Sequence, residues 1–222
     1  MEKKLLDTLA EGAAALGIRL DAAALEQFAV YERELLLWNR RINLVSEKSS
    51  RQIVIRHFLD SLTAATAITC PDGLLLDLGS GAGFPGIPLR IALPELRVML
   101  VESSRKKTSF LAHVVRTLAL TEVTVVRERI EALIGQQALA GSFDTVLSRA
   151  AFKLPQLVRT ASFFLREGGT LVAMKGPDPT EEMAEAEAVL AIVGMVFRDC
   201  REVRPPETDS SRKIITYERV SR

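Results

Sequence analysis

With 222 residues, the chain is long enough for one full α/β domain with an appendage, or for two small domains packed together. Hydrophobic residues at 48% and charged residues at 26% are ordinary globular usage, which excludes a disordered, collagen-like or disulfide-scaffold protein. The net charge of +1, from 29 basic and 28 acidic side chains, lacks the global cationic excess needed to grip naked nucleic acid, so any such contact must be local.

The chain begins with helical grammar. LLDTLAEGAAALGI and LEQFAVYERELLLW place apolar residues at three- and four-residue steps, with Asp21 as an N-cap before the second helix. A third helical run spans about Gln52 to Ile68, and Pro71-Asp72-Gly73 then marks a turn. Residues 1–72 are thus predicted to be an N-terminal helical cap and residues 73–222 a second region within one compact unit. From Gly73 on, GLLLDLGS, RVMLVES, EVTVVRER, FDTVLSRA and GTLVAMKG are short apolar runs separated by helical segments. That alternation predicts a parallel sheet with helices on both faces. PTEEMAEAEAVLAIVG reads as a helix with a solvated acidic face, and MVFRDCREVR and RKIITYERV as an antiparallel pair finishing the sheet. The longest nearly apolar stretch, Ala188 to Phe197, is too short to cross a bilayer, and the N-terminus carries acids where a signal peptide is apolar. Cys70 and Cys200 have no metal-ligand spacing, so no metal and a reducing, cytoplasmic setting are expected.

LLLDLGSGAGFPGIPL joins a buried strand to a glycine-rich turn and a helix opening near Pro85 or Pro88. Two registers compete. Gly81 to Gly86 spells GxGxxG, the dinucleotide fingerprint, and Asp77 to Gly83 spells DxGxGxG, the S-adenosylmethionine loop of class I methyltransferases. Asp77 at the strand tip would repel a pyrophosphate and attract the cationic amine and sulfonium of S-adenosylmethionine. Glu102, ending the next strand, suits the ribose hydroxyls of either cofactor.

DLGSGAGFPGIPL, WNRRINLVS, RHFLDSL, SRAAF and MKG, in this order, make the chain similar over nearly its whole length to the RsmG (GidB) family of bacterial small-subunit ribosomal RNA methyltransferases. The resemblance implies a Rossmann-like class I S-adenosylmethionine-dependent methyltransferase, with a mostly parallel seven-stranded sheet. It implies transfer of a methyl group to N7 of one guanine of 16S rRNA, guanine 527, near the decoding centre. Its partner would be the small ribosomal subunit or an assembly intermediate, and a monomer is expected. By motif, Gly79, Gly81 and Phe84 would line the cofactor pocket with Asp77 beside it, and Glu102 would hold the ribose. Ile130 and Glu131 would meet the adenine, and Arg149 would sit beside the cofactor and the entering base.

Guanine N7 has a free lone pair and no proton to lose, so its methylation needs alignment and water exclusion rather than a general base. The catalytic candidates are Arg149, as a donor to O6, and His57, Asp60 and Lys175. The competing reading of RHFLDSL is an Arg56–Asp60 ion pair four residues apart, with His57 capping or packing. Trp38 is read as a core anchor, and Asn43 as fixing a turn or reaching RNA. Arg40, Arg41, Asn43, Arg56, Arg105, Lys106, Lys107 and Lys175 are the expected RNA contacts, a local phosphate-gripping rim on a neutral protein. With aromatics at only 5%, folded or protein-bound RNA suits this surface better than extended single strands.

Overall fold

In the computed structural model, which describes residues 1–208 and 211–221, the chain opens with α1 (Lys3–Ala15) and α2 (Ala22–Asn39). Asp21 accepts a hydrogen bond from the Ala24 N–H at 2.7 Å and starts α2 as its N-cap. The turn after α2 is tied by Asn39. Its Oδ1 accepts from Leu44 and Val45 N–H and its amide donates to the carbonyls of Val45 and Glu47. The turn-fixing role expected of Asn43 is therefore performed by Asn39, and Asn43 is exposed. The third helical run is continuous from Ser50 to Ala67 but changes pitch: α3 (Ser50–Ile53), a π-helical turn (Val54–Leu59), α4 (Asp60–Leu62) and a 3-10 turn (Thr63–Ala67).

The sheet region follows as β1 (Leu74–Leu78), α5 (Gly86–Ala92), β2 (Arg97–Val101), α6 (Arg105–Thr117), β3 (Val123–Val126) and α7 (Ile130–Leu133). It continues with β4 (Phe143–Arg149), α8 (Leu154–Phe164), β5 (Leu165–Lys175), α9 (Thr180–Val193), β6 (Met195–Val203) and β7 (Arg212–Arg219). Strand order is β3-β2-β1-β4-β5-β7-β6, parallel except for β7, which runs antiparallel to both neighbours. This is the mostly parallel seven-stranded sheet expected of a class I methyltransferase fold. The order reverses between β1 and β4, and the crevice outside their carboxyl ends is the place such sheets hold ligands.

Alternation along β1 sorts the core. Leu75 points into one apolar cluster and Leu76 and Leu78 into the other. The first cluster joins the cap to the sheet, packing Leu9, Phe28 and Phe58 with Ile87, Leu100 and Phe110. Trp38 anchors α2 on α6, its ring 5.6 Å from Phe110 and 5.1 Å from His113. Burying a side chain such as Phe58 contributes about 3–5 kcal/mol against truncation, so the cap and sheet share one core. Among the described residues, no helix is long and apolar enough to cross a membrane.

Candidate functional site

The crevice begins where β1 ends. Gly79 (φ +75°) and Gly81 (φ +59°) take left-handed backbone that favours glycine. A Cβ on Gly79 would lie 2.9 Å from the Ala151 Cβ, whereas one on Gly81 would meet the Gly79 carbonyl oxygen at 3.9 Å, an ordinary contact. The N–H groups of Gly79 and Ser80 both donate to the Val101 carbonyl at 3.0 Å, fastening the loop to β2. The cap fastens it from the other side through the buried Tyr31 hydroxyl, which donates to the Ala82 carbonyl. Glu102 is buried beside the loop, accepting from Gly81 N–H at 3.0 Å and Ser104 N–H at 2.7 Å. A cavity of about 460 Å³ opens here, lined by Gly79, Glu102, Lys107, Ile130, Glu131 and Phe152 among others.

Asp77 lies beneath the loop, wholly buried. One carboxylate oxygen accepts from Gly86 N–H at 3.0 Å, and among the described residues the other has no partner. Burial pushes its carboxyl up to about 7, against the opposing pull of the Gly86 hydrogen bond and of Arg149.

A second cavity, about 710 Å³, lies on the other side of the segment that leaves β4, lined by Glu47, Arg56, His57, Asp60, Arg149 and Arg212 among others. Arg149 closes β4 and is the hub. Its Nη1 donates to Asp60 at 2.9 Å and its Nη2 to His57 Nδ1 at 3.1 Å, with the guanidinium 5.1 Å from the Phe84 ring centre. Since Nδ1 accepts from an arginine, the His57 proton sits on Nε2, which donates to Glu47 at 2.7 Å. Burial and the Arg149 charge push the His57 pKa below its ordinary value, so the ring is neutral at neutral pH. Burial works to raise Glu47, but the hydrogen bonds from His57 and Ser46 outweigh it and hold this carboxyl low. Asp60, 1% exposed, uses its other oxygen to accept from Arg212 Nε at 2.8 Å. The π-helical turn carries His57 and seats it face to face on Phe84 at 4.7 Å; such turns recur at functional sites.

Comparison with known proteins shows which family the chain belongs to. The profile described as rRNA small subunit methyltransferase G matches residues 24–208. A relative of that name from Syntrophus aciditrophicus is 44% identical over 93% of this chain and 86% of its own. The chain belongs to the rRNA small subunit methyltransferase G family. A second member, from Geobacter metallireducens, is 39% identical over 99% of this chain and 98% of its own. Among solved structures, the Aeropyrum pernix fibrillarin bound to S-adenosylmethionine shares the fold at TM-score 0.55 and 20% identity, covering 72% of this chain and 76% of its own. The Bacillus YcgJ protein does so at TM-score 0.59 and 12% identity, covering 75% of this chain and all of its own.

S-adenosylmethionine is the cofactor of this methyltransferase G family, and the residues present fit it. A Cβ at Gly81 would meet the Gly79 carbonyl oxygen at 3.9 Å, so glycine keeps the loop surface clear, the Glu102 carboxylate accepts from the Gly81 N–H and lines the cavity, and among the described residues Asp77 keeps an unpartnered buried oxygen below. Of the residues assigned to the cofactor by motif, Gly79, Glu102, Ile130 and Glu131 meet at this cavity, with Gly81 bonded to Glu102. Two do not line it. Phe84 is 4% exposed and packs between Tyr31, Phe58, His57 and Arg149. Arg149 faces the second cavity, so the two are separated by the turn from Arg149 to Phe152, whose Ala150 stands at φ +55°.

Other expectations are corrected. Arg56 and Asp60 do not pair: Arg56 meets Glu47 at 3.6 Å, while Asp60 serves Arg149 and Arg212. The π-helical turn removes the four-residue alignment on which that pairing relied. Lys175 is 7% exposed, donates to the Phe152 carbonyl and pairs with Glu182 at 2.7 Å, so it braces the turn between the cavities and is not part of a phosphate-gripping surface. Glu182, assigned to a solvated face, turns inward and also accepts from Leu154 N–H at the start of α8.

Arg40, Arg41, Arg56, Arg105 and Lys106 are exposed and Lys107 is half-buried at the cavity beside the glycine loop. Gln27 bonds Leu118 and Trp38 packs on Phe110, so α2 and α6 run antiparallel and the Arg40–Arg41 end approaches the Arg105–Lys107 end. Sequence reasoning missed Tyr31, Glu47, Arg212 and Glu182, none of which lies in a local motif. No group of three or more metal-ligating side chains is found among the described residues.

Proposed function

We propose that the protein transfers the methyl group of S-adenosylmethionine to N7 of guanine 527 in 16S rRNA of the small ribosomal subunit, near the decoding centre. The observation that carries this reading is the pair of cavities divided by one turn, one a glycine-and-carboxylate cradle, the other an arginine-lined pocket. Bound S-adenosylmethionine supplies an electrophilic methyl group. The chain's own task is to hold the guanine so that N7 faces that methyl and to keep water out.

The second cavity is suited to an extruded base. Three arginines against two carboxylates leave one positive charge in excess around a neutral His57, which favours an anionic nucleotide. N7 has no proton to lose, and accordingly no residue is asked to act as a base; His57 is fully engaged by Glu47 and Arg149. Lys175 and Glu182 hold the dividing turn, and the exposed basic ends of α2 and α6 meet the flanking phosphates.

The deciding experiment is methyl transfer from labelled S-adenosylmethionine to small subunits from a strain lacking this activity, with N7-methylguanine mapped by base-selective strand scission. One labelled guanine at position 527 is the expected result; label elsewhere, or none with the cofactor bound, overturns the target. Because the surface is nearly neutral overall, assembled or assembling subunits should outcompete deproteinised rRNA, and equal rates at physiological salt would refute that preference.

A further inference from the structure

The two arginines on Asp60 are bound in different ways. Arg149 spends its terminal nitrogens inside the protein: Nη1 on Asp60 and the Arg56 carbonyl, Nη2 on His57. Its side chain is 16% exposed and its plane rests over Phe84. Arg212 is held through Nε alone, and among the described residues Asp60 is its one side-chain hydrogen-bonding partner. The carboxylate that anchors it is 2% exposed, whereas the Arg212 side chain is 34% exposed and borders the same cavity. A guanidinium fixed at Nε and open at its Nη end presents a planar pair of donors, matched to two oxygens of one phosphate.

We propose that Arg212 is a substrate-contacting residue, which grips a phosphate of the target nucleotide with its terminal nitrogens, and that Arg149 is a positioning residue. This deepens the reading of the second cavity as the nucleotide pocket and rests on it. Asp60 then has a specific purpose. It neutralises one of two neighbouring guanidinium groups, lets them stand together without repulsion, and aims the less committed one at the ligand. The charge left over in the pocket is matched by one phosphate.

The test compares wild type with Arg212→Gln, Arg212→Lys and, as a control on β6 away from Val203, the residue paired with Arg212, Arg198→Gln. Steady-state methylation of small subunits is measured at several salt concentrations, beside subunit binding by cosedimentation and S-adenosylmethionine binding by calorimetry. Arg212→Gln should raise the KM for subunits and weaken cosedimentation by about tenfold, and lower the salt slope by about one phosphate contact. Its cofactor affinity and melting temperature should stay near wild type. Lysine should restore the salt slope, because it restores the charge, but only part of the affinity, because it lacks the fork. Unchanged KM and unchanged binding in Arg212→Gln would overturn the grip, as would a loss confined to cofactor binding or to thermal stability. Cosedimentation separates this from the target assignment: if wild type labels no guanine yet Arg212→Gln still loses salt-dependent binding, the target is wrong and the grip stands.

Discussion

The two cavities flanking the Arg149–Phe152 turn are made of different materials. The side proposed for the cofactor rests largely on backbone: left-handed glycines, N–H groups tied to the Val101 carbonyl, and the Glu102 carboxylate held by two more N–H groups, with Glu128 and Glu131 also on the cavity wall. The side proposed for the nucleotide is built from charged side chains contributed by distant segments, each of which depends on another for its orientation. Backbone geometry is rigid and fails by steric intrusion, whereas a buried charge network fails by losing one partner.

The largest effect should come from the network. Asp60→Ala strands two arginines at a buried position and should cost about 3–5 kcal/mol of stability. It should abolish methylation, while cofactor affinity in the surviving folded fraction, read by calorimetry, stays within about twofold because that cavity shares no side chain with the network. Large loss of cofactor binding would show that the two regions are one. Next comes Gly79→Ala, which forces a Cβ against Ala151 at a positive φ and should weaken S-adenosylmethionine binding roughly a hundredfold while leaving subunit cosedimentation intact.

The third test uses pH. Asp77 has an ordinary pKa of 3.8 and is pushed up to about 7, so between these values the native state holds a proton that the unfolded chain has released. Its contribution to stability therefore falls as pH rises from about 4 to 7. A cationic cofactor favours the ionised carboxylate, so the Kd for S-adenosylmethionine should fall as pH rises through about 7, with proton release seen calorimetrically in two buffers. Asp77→Asn should flatten both trends; a persistent slope in that variant would assign the titration elsewhere. The smallest effect is Tyr31→Phe. Loss of one buried hydrogen bond to Ala82, about 1 kcal/mol, should raise the cofactor Kd several-fold and leave the KM for subunits unchanged.

The same contrast explains what could be read from the sequence. The glycine cradle, Glu102 and Ile130 were legible because their chemistry is local: glycines at fixed steps announce backbone conformation, and an acid at the next strand tip follows from βα spacing. The helical cap and the strand runs were legible from periodicity. RHFLDSL was only half legible. Regular helical spacing predicted an Arg56–Asp60 pair, but the π-helical turn rotates these side chains apart and frees Asp60 for Arg149 and Arg212. Lys175 read as a surface cation because charge usually marks exposure, yet its partner Glu182 turns inward from a helix that looks uniformly solvated.

The sequence by itself determined the alternating fold, the helical cap, the glycine-rich loop and the family, since each is encoded in contiguous residues whose spacing is set by strand and helix geometry. Tertiary structure alone decided which of the 29 arginines and lysines line the second cavity. Asp60 and Arg212 lie 152 residues apart, and only the insertion of β7 antiparallel beside β5 brings them to one carboxylate. A charge carries no mark of its partner until the chain has closed, because electrostatic pairing depends on distance in space and burial rather than on position along the sequence.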